Sequence, residues 1–150
     1  KGYSSADILE QCRKLDEAGI EYNFFYLTGI YGRGKSRQGV DNTLKIFNQL
    51  NPKIVGASML TVFPSSELYG EIKSGNWTEE SETEKYEELK ALVNGLKVKT
   101  HFAALGASNA VQLHGEIPRD RAELVSVIDE ILCRFNESEL EKYRKNLKRL

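Results

Sequence analysis

Cysteine is scarce here: Cys12 and Cys133 are the only two in 150 residues. Two thiols far apart cannot by themselves supply a multi-thiolate metal site. Each falls on a helical apolar face, so reduced core thiols of a cytosolic protein are expected rather than a disulfide. Proline is also rare, at three residues, and no proline- or glycine-rich stretch divides the chain, so one compact unit is expected. No apolar run approaches the ~20 residues of a membrane span, and the basic-then-apolar pattern of a secretory leader is absent. Charge of one sign is missing too: the net value is −1, which gives no overall pull toward nucleic acid or an anionic membrane. A cytoplasmic protein with neither partner is expected. What remains, 40% hydrophobic and 29% charged residues, is ordinary for a globular domain of this size.

Helix and strand signals alternate along the chain. Ser4 or Ser5 caps a first helix with Asp7 in its first turn and Ile8, Cys12 and Leu15 on one face; Gly19 ends it. Tyr22–Leu27 reads as a buried strand running into a glycine-rich turn, Thr28 to Ser36. A second helix is expected from about Val40, with Val40, Leu44 and Phe47 on one face, stopped by Asn51-Pro52. Lys53–Thr61 is nearly continuously apolar, the pattern of a strand covered by helices on both faces. Phe63 to Glu67 turns into a short helix ending near Gly75. From Glu79 to Leu96 runs an acidic helix with a Ser81/Glu84 capping box and a stripe of Tyr86, Leu89, Val93 and Leu96. Val98, Thr100 and Phe102 alternate as a third strand. A loop then carries Gly106 through His114-Gly115 to Pro118, which suits the first turn of a helix with Leu124, Val125, Ile128, Ile131 and Leu132 inside. Residues 133–150 read as a peripheral charged helix. With no hairpin signal, the order argues for an α/β fold with a parallel sheet and flanking helices.

The turn after the first strand satisfies a phosphate-loop pattern, Gly29-x-x-x-x-Gly34-Lys35-Ser36, between a strand and a helix. Backbone amides there would cradle phosphate, with Lys35 on its terminal oxygens and Ser36 on magnesium. Against this nucleotide-binding alternative, no later strand ends in an acidic residue to hold the metal, and Arg37-Gln38-Gly39 are poor helix openers.

Three phrases fall into a known order: DILEQCRKLDEAGIEYNFFYLTGIYGRGKS, IFNQLNPKIVGASMLTVFPSSELYGEI and HFAALGASNAVQLHGEIPRDRAELVSVID. Together, over about Lys1 to Leu132, they resemble the later portion of radical S-adenosylmethionine (SAM) proteins. The group most similar is the bacterial iron–sulfur oxidoreductases related to oxygen-independent coproporphyrinogen III oxidase. The resemblance implies a partial barrel of six parallel β/α units, of which this chain supplies the last two strands and a C-terminal extension. It implies a [4Fe–4S] cluster on a CxxxCxxC loop and SAM as cofactors of the full-length protein. That loop is missing here, so the chain, which opens at Lys1 without an initiator methionine, reads as a fragment inactive alone, its partner being the N-terminal half of the same polypeptide. The resemblance places Leu27, Thr28, Gly29 and Ile30 beside the SAM adenine, and Leu60, Thr61, Val62, Phe63 and Pro64 at the adenine edge. Ser65-Ser66 stand where relatives commonly carry Gly-Thr.

Plainer readings stand beside these. The glycines make a surface loop as readily as a ligand loop, and Phe63-Pro64 serve equally as a staple for the next helix. Arg33, Lys35 and Arg37 are expected to be solvated loop charges. His101 reads as structural, His114 as freer for function, and Asn109 and Gln112 as loop caps. A further alternative is a non-enzymatic docking module using the acidic stretch Glu79 to Lys90 against a basic partner.

Overall fold

The computed structural model describes residues 2–146. Its centre is a four-stranded sheet in the order β1 (Asn23–Thr28), β2 (Ile54–Met59), β3 (Thr100–Ala104), β4 (Leu113–Ile117). The first three strands are parallel, and their register runs Asn23 opposite Ile54 to Thr28 opposite Met59, then Ile54 opposite His101 to Gly56 opposite Ala103. The fourth is antiparallel to β3, with Phe102 opposite Gly115. The all-parallel expectation is thus corrected at β4, and His114 lies on a strand rather than in a loop. His114, Gly115 and Glu116 are weak strand formers, which hid an alternation that places Leu113, Gly115 and Ile117 inward.

The helices are α1 (Ser5–Glu17), α2 (Ser36–Phe47), α3 (Glu67–Lys73), α4 (Glu82–Gly95), α5 (Arg121–Arg134) and α6 (Glu137–Lys145). Buried residues of α2, α4, α5 and α6 join Tyr26, Val55, Ala57, Met59, Phe102, Leu113 and Ile117 in one core on one face of the sheet. The opposite face carries Phe25, 81% exposed, with Leu27, His114 and Glu116 also in the open. The continuous apolar run of β2 therefore does not mean helices on both faces. Its small Gly56 lies under the Phe25 ring, 3.0 Å from where a Cβ would stand.

Other differences have local causes. Ser4, not Ser5, caps α1, in a capping box with Asp7 whose carboxyl is held low by the Ser4 hydroxyl and N–H. No α1 residue is buried, so Cys12 is only half-buried, and Cys133 on α5 is exposed; neither is a core thiol. Helix α2 starts four residues earlier than expected because Gly39 packs beneath the Tyr31 ring instead of breaking the helix. Pro118 follows a cis peptide bond after β4, and α5 begins only at Arg121. Helix α6 buries Leu140 and contacts α4, so it is more than a peripheral charged helix. Residues 147–150 of that expected helix lie outside the described ones.

The β4 assignment makes a direct prediction. Leu113→Ala should lower stability by about 2–4 kcal/mol through loss of buried apolar volume. His114→Ala, one residue on and facing outward, should change it by less than about 0.5 kcal/mol. Urea denaturation of both variants reads the difference; equal effects would mean a loop.

Candidate functional site

Two loops leave the sheet at the carboxyl ends of its parallel strands, where α/β proteins build sites. One follows β1 and the other follows β2, and the Leu60 N–H donates to the Thr28 carbonyl at 2.9 Å. Leu27–Ile30 and Leu60–Pro64, expected to form one site, therefore lie side by side at one end of the sheet. Thr28, Gly29 and Leu60 are buried; Thr61 and Val62 are half-buried; Leu27, Ile30, Phe63 and Pro64 are exposed. The Thr28 hydroxyl is buried with no hydrogen-bond partner.

Gly29 has φ +91°, a conformation L side chains rarely adopt. A Cβ there would stand 3.2 Å from Lys85 Cε and 3.6 Å from Leu60 Cβ. Glycine is thus favoured by the backbone conformation, and the space a Cβ would take is bounded by Lys85, a residue of the chain itself. The loop amides are also engaged: Gly29 N–H donates to Glu88 Oε2 at 2.6 Å, Gly34 N–H to Glu84 Oε1 at 3.3 Å, and Arg33 N–H to the Thr78 carbonyl at 2.9 Å. Two of the loop amides are thus occupied by carboxylates of α4, with which a phosphate would have to compete. The cations beside it are solvated as expected: Arg33 lies 3.8 Å from Glu84, and Arg37 pairs with Asp41.

Behind these loops the first two turns of α4 bring charge into the interior. Glu88 also accepts from the Tyr26 hydroxyl, and burial together with that bond raises the Tyr26 phenol far above its usual range. Burial raises Glu88 as well. Facing Glu88 is Glu80, 3% exposed; neither carboxyl oxygen makes a hydrogen bond of good geometry, and the nearby Ser36 only weakly favours its charge. Two buried carboxylates this close cannot both ionise cheaply. Burial and then Glu88 push Glu80 up to about 7, so the pair retains a proton near neutrality.

Next to this pair, Lys85 Nζ donates to Glu79 at 2.8 Å and to Glu82 at 2.9 Å. Glu82 in turn lies 3.1 Å from Arg144 Nε on α6. Glu137 accepts from the Glu82 and Thr83 N–H groups, capping α4; burial opposes its charge, but these bonds hold its carboxyl below the usual value. A cleft of about 550 Å³ opens over the network, lined by Arg33, Thr61, Val62, Glu80 and Arg144 among others. Sequence reading missed Tyr26, Glu80, Lys85, Glu88 and Arg144. A signal existed for α4: Glu82 and Lys85 share its apolar arc with Leu89, Leu92 and Leu96.

The remaining candidates are structural. Asn109 Oδ1 accepts from Met59 N–H at 3.1 Å and its Nδ2 donates to the Ala57 carbonyl at 2.9 Å, extending the sheet beside β2. Gln112 Nε2 reaches the Leu105 carbonyl. His101 pairs with Glu116 at 2.8 Å on the open face, with the His114 ring 5.9 Å away. Glu82 and Glu88, both in the acidic stretch expected to face a partner, point inward instead. Among the described residues, no group of three His, Cys, Asp or Glu side chains is arranged to hold a metal, and no helix is long and apolar enough to cross a membrane.

The carboxyl pair predicts a pH dependence. Unfolded, Glu80 loses its proton near 4.5; folded, it keeps it to about 7. The associated stability is present below about pH 4.5 and falls as pH rises to about 7, by roughly 3 kcal/mol in total. Glu80→Gln should flatten that slope and leave the variant more stable than the parent at pH 8, as read by urea denaturation between pH 4 and 8. Compared with known proteins, the chain matches no family model, no curated protein and no solved structure.

Proposed function

We propose that this chain is the C-terminal part of a radical SAM barrel that completes the adenine pocket and shapes the substrate mouth. The observation that carries the reading is the one-sided winding of the sheet. Strands β1, β2 and β3 are parallel and adjacent in chain order, and their core helices lie on one face. A doubly wound sheet would reverse direction and put helices on both faces; a barrel winds this way and keeps the other face inside. The open face with Phe25 is then the barrel interior, and the free edge of β1 takes the preceding strand.

The residues at the carboxyl ends fit a flat heteroaromatic ring. Leu27, Ile30 and Phe63 expose apolar surface. Leu60 spends its N–H on Thr28 and its carbonyl on Arg144, whereas the backbone groups of Thr61 and Val62 have no partner among the described residues. Thr61 and Val62 thus offer the hydrogen-bonding edge that an adenine needs. In this reading SAM, with a reduced [4Fe–4S] cluster, supplies a 5′-deoxyadenosyl radical when bound. The cluster has no home here: Cys12 lies half-buried on α1 and Cys133 exposed on α5. The chain's own part is to bind and orient, and the N-terminal half of the same cytoplasmic polypeptide holds the cluster.

Two measurements test this. The coding sequence upstream of Lys1 should contain a CxxxCxxC loop followed by further β/α units; a start codon directly before Lys1 would overturn the proposal. In the longer protein, equilibrium dialysis should detect SAM, and Val62→Pro, which deletes one free N–H, should weaken it by up to about tenfold.

A further inference from the structure

We infer that Arg144, on the last helix, is a positioning residue for the adenine edge; the ligand in this inference rests on the function proposed above. Its side chain is 9% exposed, and each of its three guanidinium nitrogens has a partner. One nitrogen donates to the Ser108 carbonyl, in the loop after β3, and another donates to the Leu60 carbonyl and reaches Thr61 Oγ1 at 3.4 Å, after β2. The Nε faces Glu82 Oε1 at 3.1 Å. Leu140, one turn earlier on the same face, is buried against the core and seats the helix.

The planar fork of arginine suits this task because it donates in several fixed directions at once, which a lysine ammonium does not reproduce. Arg144 takes the carbonyl of Leu60 and the hydroxyl of Thr61. What remains at that loop is the backbone of Thr61 and Val62, two residues that line the cleft together with Arg144 itself. The same contacts reach the other loop. Glu82, held by Arg144, also accepts from Lys85, and the Lys85 stem packs on Gly29. A single side chain on α6 therefore ties together both segments of the site, although it need not touch the ligand.

Hydrogen exchange and SAM binding of the full-length protein test this with Arg144→Gln and Arg144→Lys. In ligand-free protein, Arg144→Gln should speed exchange at residues 60–64 and 106–109 while β1 and β2 stay protected. Uniform loss of protection across the core would mean a general packing role and overturn the inference. For binding, Arg144→Gln should raise the SAM dissociation constant about tenfold, the order expected for one charge-assisted bond lost. Arg144→Lys should keep the unfolding midpoint closer to the parent yet still bind more weakly; parental affinity in that variant would overturn the inference. If the parent itself does not bind SAM, the proposed function falls, and the exchange comparison still decides the role of Arg144.

Discussion

The carboxylate of Glu88 is the joint on which the upper half of this molecule depends. It accepts from a side chain of β1, Tyr26, and from the first amide beyond that strand, Gly29. A buried amide without an acceptor would cost on the order of 1–3 kcal/mol, so some acceptor has to be brought to that point. Helix α4 brings it, and this requirement explains why its first turns carry Glu82, Lys85 and Glu88 on a buried arc while its later turns carry Leu89, Leu92 and Val93. Once the helix is charged on that side, its neighbours must answer. Lys85 meets Glu79 and Glu82, Arg144 meets Glu82, and the Glu80 carboxyl is pushed up to about 7.

Much of this architecture was legible in the sequence because burial has a period. The strands at 22–27 and 53–61 and the stripe Tyr86, Leu89, Val93, Leu96 all follow from where apolar residues recur, and the structure carries each within a residue or two at most ends. Legibility failed where a local rule was overruled by a partner distant in sequence. Gly39 reads as a helix breaker until Tyr31 covers it. The strand Leu113–Ile117 is poor in strand formers and gains its register only from β3. The continuous apolar run of β2 suggested two covered faces, although one of them is shaded only by Phe25.

The candidate site divides the same way. That the two loops would meet followed from parallel strands in chain order, since their carboxyl ends share an edge. The tenants of that edge did not follow. A run of Glu and Lys reads as solvated, because a charge is rarely buried without a matched partner, and the matches here come from up to 62 residues away. Gly29 was read as a point where backbone approaches a flat ligand; the group that crowds it in the structure is an aliphatic lysine stem of the same chain.

The side chain of Asn109 deserves a last consequence. Pairing between β2 and β3 stops at Gly56 and Ala103, and beyond it Asn109 bonds the β2 backbone in place of a strand. An amide side chain is thereby stitched in as a surrogate rung, splitting the connection between β3 and β4 into two spans of different tolerance. Between Ala104 and Asn109 the spacing is metered, because a residue gained or lost there would carry the amide away from Ala57 and Met59. Between Asn109 and Leu113 no side chain bonds the β2 backbone; Val111 packing on the core and the Gln112 amide on the Leu105 carbonyl hold that span less strictly.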